Sequence, residues 1–288
     1  MIEKGLEEGI FKEDEDGSIY VEFEDEELPS TVVKRQDGST LYLSRDLANL
    51  KKREQEGFDY NLYIVGSEQE LHFKQLFKLG EKFDITDIKN EHISYGLLQL
   101  QDETMSSSEG NIIRLSQVLD KAEEKAEEKI KNRDVENAEK VGLGAIKYAN
   151  LSVSRNKDIK FDWDQVLNFE GDSGPYLQYS NTRAKSIIDK VSEKGEIKTE
   201  PTEEEYLLTR KLSELPEKIE NAAEEREPAK IANYLSDLSE TFNKFYHECP
   251  VLEADLETRK TRIRLVELFI EATDTGLELL GIPRLEEM

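Results

Sequence analysis

The chain has 288 residues, of which 36% are hydrophobic and 36% charged, so it can bury the cores of two domains beneath a highly charged surface. No run approaches the ~18 apolar residues of a membrane-spanning helix, and residues 1–8 lack an apolar stretch after a basic start, so neither a membrane span nor a signal peptide is expected. The single cysteine, Cys249, excludes an internal disulfide and a cysteine-rich zinc site. We expect a cytoplasmic protein.

Acidic residues outnumber basic ones by 64 to 39, which gives a formal net charge of −25. Taken alone, this charge argues against nucleic acid as a partner, because phosphates would be repelled over the whole surface. A nucleic-acid-binding function therefore needs local basic patches. The densest basic run, residues 258–264, contains Arg259 and Arg262, and it is either such a patch or an ordinary solvated helix face. The acidic surface fits a salt-rich cytosol or simple solubility equally well.

In the first part of the chain, strands alternate with helices. Strands are predicted where β-branched and aromatic residues cluster: 10–11, 19–23, 31–34, 40–43, 61–66 and 92–98. Ser44 can cap a helix that begins at Arg45. Residues 67–70 have the form of a capping box, and the helix after them places His72, Leu76 and Leu79 on one face. This alternation predicts a parallel, doubly wound sheet.

Strand signals nearly vanish after about residue 115. Residues 117–155 are predicted to form a long helical stretch, and residues 174–288 several amphipathic helices with candidate breaks at Gly195, Pro201, Pro228 and Pro250. The predicted architecture is therefore part of an α/β domain followed by an all-α helical bundle.

The segment Asp37–Asp46 joins a predicted strand to a helix. Tyr42 is predicted to end the strand and Asp46 to lie in the first turn of the helix, where a carboxylate can accept two hydrogen bonds from a guanidinium. The alternative, which chemistry alone favours, makes Asp46 a partner of the helix dipole and Tyr42 a core aromatic.

The segment from Val65 to Phe73 repeats this strand–turn–helix geometry. Gly66 permits close approach of a ligand to the backbone. Gln69 lies on the exposed first turn, and His72 faces either the core or a ligand.

Two further segments carry candidate binding residues. Residues 105–111 form a polar loop, but a loop that binds phosphates would be expected to carry Lys or Arg, and this one has neither. Residues 161–183 are rich in aromatics, and these lie beside Arg183 and Lys185, so they could stack on bases and hold phosphates. Packing at a domain interface is the alternative for the aromatic segment.

The order and spacing of these segments resemble the arginyl-tRNA synthetases, which are class I aminoacyl-tRNA synthetases. The resemblance covers nearly the whole chain, through residues 37–46, 65–73, 92–96, 105–111 and 174–183 to the ending at 275–282. The Gly-Pro-Tyr-Leu-Gln-Tyr sequence at 174–179 is particularly specific to that family. The resemblance implies a partial Rossmann-like catalytic domain at 1–165, followed by an anticodon-binding helical domain at 166–288.

The resemblance also implies roles for individual residues. Arginine would contact Tyr42, Asp46 and Gln69, and the adenosine of ATP would lie near Gly66, His72, Gly96 and Leu98. The catalytic signature loop over the ATP phosphates would contain Met105, Ser106, Ser107, Gly110 and Asn111. The tRNA would contact Tyr176, Gln178, Tyr179, Arg183, Arg259 and Arg262. ATP is implied as a substrate, with Mg²⁺ accompanying it and no metal bound by the protein itself.

The chain departs from the family pattern at three places. Ser108 and Glu109 stand where the family's signature loop usually has Arg or Lys, and the chain ends Leu285-Glu286-Glu287-Met288 where the family often has a Pro-Glu-Arg-Met-like tail. A His-Ile-Gly-His-type motif, which should precede all these segments, does not occur in the first hundred residues. The resemblance therefore implies the C-terminal part of an arginine–tRNA ligase that needs a missing N-terminal half, as a split-gene product, a fragment or a truncated homologue. The alternatives are a non-catalytic tRNA-binding module and a structural subunit of a split synthetase.

Overall fold

The computed structural model describes residues 1–23, 28–100, 114–130, 135–198 and 200–286. They belong to two compact units, Met1–Gly96 and Leu97–Met288. The division at Gly96 falls earlier than the domain boundary proposed from the sequence at residue 165. Within the described ranges, no helix is long and apolar enough to cross a membrane.

The described residues of the first unit form three helices and five strands. In chain order they are α1 (Ile2–Glu7), β1 (Phe11–Glu13), β2 (Ile19–Val21), β3 (Thr31–Lys34), α2 (Tyr42–Gln55), β4 (Tyr60–Gly66), α3 (Glu70–Lys82) and β5 (Lys89–Tyr95). Strands β1, β2 and β3 form an antiparallel sheet in that order. The predicted hairpin between β1 and β2 is confirmed, with Gly17 at φ +83° in its turn, a conformation that favours glycine.

Strands β4 and β5 are parallel and paired along their whole length, from Tyr60 with Lys89 to Gly66 with Tyr95. Tyr63 and Val65 of β4 pack against the buried core, to which α2 and α3 both contribute. Leu62 and Ile64 alternate onto the opposite face of the strand, where they are 48% and 70% exposed. One face of this two-stranded sheet is therefore uncovered within its unit.

Three local predictions in this unit are wrong. Residues 40–43 do not form a strand, since Thr40 makes only an isolated bridge to Lys34 and α2 begins at Tyr42. Ser44 does not cap that helix, because its buried hydroxyl donates to the carbonyl of Val33. Residues 67–70 make no capping hydrogen bond, because Ser67–Gln69 form a 3₁₀ turn.

The second unit begins with a short two-stranded sheet and a helical hairpin. Its first elements are β6 (Leu98–Leu100), α4 (Leu115–Lys129), α5 (Val135–Leu151), β7 (Ile159–Phe161) and α6 (Trp163–Val166). Strands β6 and β7 are parallel. The single strand predicted at 92–98 is therefore wrong, because β5 ends at Tyr95 and β6 belongs to a different sheet.

The remainder of the second unit is a helical bundle, as the sequence predicts. Its helices are α7 (Gly174–Ile188), α8 (Glu203–Ser213), α9 (Leu215–Glu225), α10 (Ala229–Glu248) and α11 (Leu256–Leu279). The bundle core includes the stacked rings of Phe242 and Phe269, with centroids 3.8 Å apart. The predicted breaks are confirmed: Gly195 and Pro201 lie between α7 and α8, Pro228 directly precedes α10, and Pro250 follows it.

Candidate active site and nucleic-acid interface

The carboxyl ends of β4 and β5 lie side by side and bring several predicted residues to one edge of the sheet. Gly66 is the last residue of β4 and pairs with Tyr95, so Gly96 follows directly at the same edge. Gln69 ends the 3₁₀ turn that leaves this edge, and its side chain is exposed. Ligands of open parallel sheets occupy this position, so the fold places Gln69 and Gly96 where a ligand can reach them. Gly66 is buried, and the carboxylate of Glu68 lies against its Cα.

The structure joins two residues that the sequence analysis assigned to different ligands. Oδ2 of Asp46, on α2, lies 2.8 Å from Nε2 of His72, on α3. Both side chains are partly exposed. The pair therefore connects the predicted arginine-binding position to the predicted adenosine neighbourhood.

Tyr42 lies one helical turn before Asp46, so the two share a face of α2. Its ring is 77% exposed, so the alternative of a core aromatic is wrong. Asp46 lies in the second turn of α2 and not in the first as predicted, because the helix begins at Tyr42. The helix dipole falls off within the first turn, which leaves a dipole role with little support.

Aromatic rings support this edge from within the unit. The ring of Phe73 stacks on His92 at 4.4 Å, and His92 contacts the carbonyl of Val65 through Nε2 at 3.0 Å. Burial raises the pKa of the neighbouring Tyr63 hydroxyl, while Arg53 lowers it and the charge of Asp46 adds a smaller increase.

The structure does not assign the remaining predicted ATP-binding and catalytic residues to this edge. Leu98 is exposed in β6 and belongs to the second unit. Met105, Ser106, Ser107, Gly110 and Asn111 lie outside the described residues, so their assignment to the signature loop stays a prediction.

In the helical bundle, Arg183 of α7 lies between two tyrosine rings. Its guanidinium carbon is 4.5 Å from the ring centre of Tyr179 and 5.2 Å from that of Tyr246, on α10. Nη2 donates to the hydroxyl of Tyr179 at 2.8 Å. We call these three residues the Arg183 clamp. They line a cavity of about 420 Å³.

The clamp depends on a residue that the sequence analysis missed. Asn243, on α10, accepts a hydrogen bond from Arg183 and donates one to the hydroxyl of Tyr176, which the sequence did predict. Neither Asn243 nor Tyr246 stands out in the sequence. Their only signal is a polar amide and an aromatic three residues apart, each directly after one of the buried residues Phe242 and Phe245 of α10.

The other three predicted tRNA-binding residues are engaged within the protein. Gln178 is 1% exposed, and its amide nitrogen donates to the carbonyls of Lys140 and Pro283. Arg259 pairs with Glu193 at 2.7 Å. Arg262 pairs with the buried Glu205, also at 2.7 Å.

Two family models together match almost the whole chain. Residues 2–163 match the catalytic domain of the class I (R) tRNA synthetases. The chain belongs to this arginine-type class I tRNA synthetase family. Residues 177–288 match the DALR anticodon binding domain, in the same order as the α/β part and the bundle.

Individual synthetases show the same correspondence. The arginine–tRNA ligase of Halothermothrix orenii is 37% identical over 300 residues, which cover 100% of this chain and 53% of that protein. The ligase of Fusobacterium nucleatum is 38% identical, covering 96% of this chain and 51% of its own length. The solved arginyl-tRNA synthetase of Thermus thermophilus superposes with a TM-score of 0.84 at 25% identity, covering 100% of this chain and 58% of that structure. The chain thus spans about half the length of the curated synthetases it matches, and the fold class predicted from the sequence is confirmed.

Proposed function

We propose that this chain supplies the C-terminal half of an arginine–tRNA ligase. That enzyme joins arginine to ATP to give arginyl-adenylate and pyrophosphate, and then transfers the arginyl group to the 3′ end of tRNA with release of AMP. The observation that carries the proposal is the arrangement at the carboxyl edge of β4 and β5. There the partly exposed carboxylate of Asp46 lies beside the exposed Tyr42. The relatives of this chain are named arginine–tRNA ligases.

The proposed arginine-binding residues are Tyr42, Asp46 and Gln69. A carboxylate can accept two parallel hydrogen bonds from a guanidinium, which a lysine side chain cannot supply in the same geometry. One oxygen of Asp46 already contacts His72. The imidazole therefore fixes the direction in which the carboxylate faces.

ATP is the proposed second substrate, with its adenosine near Gly66, His72, Gly96 and Leu98. Gly66 and Gly96 lie at the carboxyl edge of the sheet, where nucleotides bind in open parallel sheets, and the Glu68 carboxylate that covers Gly66 would have to move aside for close approach. The signature loop, which includes Met105 and Asn111, is proposed to cover the phosphates. Mg²⁺ is proposed only as the ion that accompanies those phosphates.

The proposed tRNA-binding surface is the Arg183 clamp. The exposed faces of Tyr179 and Tyr246 offer stacking platforms for unpaired bases, and Arg183 offers a cation for a phosphate. The match of this region to an anticodon-binding domain supports this choice. Arg259 and Arg262 contribute less in this proposal, because both are paired with glutamates.

A second polypeptide is proposed to supply the remaining half of the catalytic domain. Parallel sheets are normally covered on both faces, whereas β4 leaves Leu62 and Ile64 exposed within its unit. An uncovered apolar face of this kind marks a site of contact with more polypeptide.

Arginine-dependent ATP–pyrophosphate exchange tests the proposal. We expect no exchange from this chain alone with an arginine tRNA transcript present, since several phosphate contacts, each worth about 10²–10³ in rate, would be missing. Exchange should appear when the half of the Halothermothrix orenii ligase that this chain does not match is added. Exchange by this chain alone would show that the second half is not needed.

A non-catalytic tRNA-binding module is the second candidate. The match of residues 2–163 to a catalytic domain argues against it, although Glu109 stands where the family usually has a cation in the signature loop. Tight tRNA binding without exchange in any mixture would support the module and exclude the ligase.

A further inference from the structure

Arg183 makes its polar contacts with neutral side chains, although Glu253 lines the same cavity. The chain has 64 acidic residues, and Arg262 and Arg264 of the same bundle each pair with a glutamate. Among the described residues, no carboxylate lies within 4.0 Å of the guanidinium of Arg183; its polar contacts are the hydroxyl of Tyr179 and the amide of Asn243. Its positive charge is therefore not neutralised within the part of the chain that the structure describes.

The amide of Asn243 is held in one orientation by its three partners. Oδ1 accepts from Nη1 of Arg183 at 2.7 Å, and a guanidinium can only donate. Nδ2 donates to the hydroxyl of Tyr176 at 2.9 Å and to Oγ of Ser180 at 3.1 Å. An amide satisfies all three contacts while carrying no charge.

We infer that Asn243 is a positioning residue for RNA binding: it holds the guanidinium of Arg183 between the two tyrosine rings and, being neutral, leaves its charge for a phosphate of an unpaired nucleotide. The inference rests on the proposed function, because it takes the Arg183 clamp as a tRNA-binding surface. It adds a residue and a physical requirement, neutrality at position 243, that the proposed function does not contain.

Neutrality matters because an aspartate would fit the same space. A carboxylate at 243 would accept from Arg183 at least as well as the amide, and the hydroxyls of Tyr176 and Ser180 can rotate to donate to it. The clamp would keep its shape, but Arg183 would become one half of an ion pair. A phosphate would then have to compete with a carboxylate that is part of the protein.

The test is Asn243→Asp in the full chain, with binding of an arginine tRNA transcript measured over a range of salt concentrations. We expect a melting temperature at or above that of the unchanged protein. Affinity should fall about tenfold or more, the value of one hydrogen bond to a charged group. The slope of log affinity against log salt should become shallower by about 0.7, the contribution of one single-strand phosphate contact.

Asn233→Asp is the matched control. It adds the same charge to an exposed position of α10, ten residues before Asn243 and so about 15 Å along the helix. We expect less than a twofold change in affinity and no change in slope. An equal loss of tRNA affinity in Asn233→Asp and Asn243→Asp would show that the added negative charge acts only by general repulsion of RNA. That result would overturn the inference.

Two more variants separate the remaining outcomes. Asn243→Ser stays neutral but holds Arg183 less firmly, so its affinity for tRNA should fall while the salt slope stays unchanged. If its affinity equals that of the unchanged protein, Asn243 does not position Arg183. This test holds even if Asn243→Asp fails to fold. Arg183→Gln tests the clamp itself. If Arg183→Gln binds tRNA normally, the clamp is not the tRNA site and the proposed assignment fails. If it binds weakly while Asn243→Asp behaves like the control, only the present inference fails.

Discussion

Replacing Arg262 by glutamine should destabilise the helical bundle much more than it alters RNA binding. Nε of Arg262 donates to Oε1 of Glu205 at 2.7 Å, and Nη1 donates to the carbonyl of Pro250 at the same distance. The side chains are 13% and 1% exposed. Glu205 also accepts the backbone N–H of Thr202 in the capping box of α8, so the pair ties α11 to the start of α8.

The expected magnitude follows from the charge that the substitution leaves behind. Removing one partner of a buried ion pair costs about 3–5 kcal/mol, because the other charge remains buried without compensation. At about 2–4 °C per kcal/mol for a unit of this size, the melting temperature should fall by roughly 6–20 °C. Arg259→Gln is the control, since its pair with Glu193 is more exposed and should be worth about 1 kcal/mol or less.

Thermal unfolding followed by tryptophan fluorescence is a suitable assay, because the only tryptophan, Trp163, lies in the same compact unit. The double variant Arg262→Met with Glu205→Gln should recover most of the loss, since it removes both charges and keeps an oxygen that can accept from Thr202. The reasoning is refuted if Arg262→Gln leaves the melting temperature unchanged while the salt slope of tRNA binding becomes shallower. That result would restore the role that the basic run 258–264 suggests.

Two other substitutions test the proposed arginine site and the pH dependence of the bundle. In an assembled enzyme, Asp46→Asn keeps the shape of the side chain but loses the charge-assisted pair, so arginine should bind about 10- to 150-fold more weakly, or 1.5–3 kcal/mol; unchanged affinity by calorimetry would remove Asp46 from the arginine site. Asp255 caps α11, and its hydrogen bonds to Thr258 lower the pKa of its carboxyl group. A group with a lowered pKa contributes stability above its unfolded value of about 3.9 and loses that contribution as pH falls through its folded value. Asparagine caps equally well at all pH values. The urea midpoint of Asp255→Asn should therefore fall less than that of the unchanged protein between about pH 5 and pH 2. Parallel plots of urea midpoint against pH for the two proteins would show that the ionisation of Asp255 does not stabilise the bundle.

Local pattern predicted the central βαβ unit but not the start of α2. The apolar run at 61–66 identified β4, and the helical spacing of Leu76 and Leu79 identified α3. Each pattern fits only one type of secondary structure. Residues 40–43 alternate with the period of a strand. Leu43, Leu47 and Leu50, however, have the spacing of a helix, and all three are buried on one face of α2. Burial of that longer apolar face decided between the two patterns.

The residues of the candidate sites could be predicted only where one segment contains them. Tyr42 and Asp46 are one helical turn apart, so their shared face follows from spacing alone. The contact between Asp46 and His72 depends on how α2 packs beside α3, and the approach of Asn243 to Arg183 joins helices 60 residues apart. No local pattern contains that information.

The ion pairs of the basic run 258–264 bear on its proposed role in RNA binding. Three arginines of the run 258–264 form ion pairs with glutamates: Arg259 with Glu193, Arg262 with Glu205 and Arg264 with Glu267. A cation paired with a carboxylate in this way stabilises the fold or the surface without attracting phosphate. Arg183 has neutral polar partners instead, the hydroxyl of Tyr179 and the amide of Asn243. This difference is why the proposed tRNA-binding surface is built on Arg183 and not on the run 258–264.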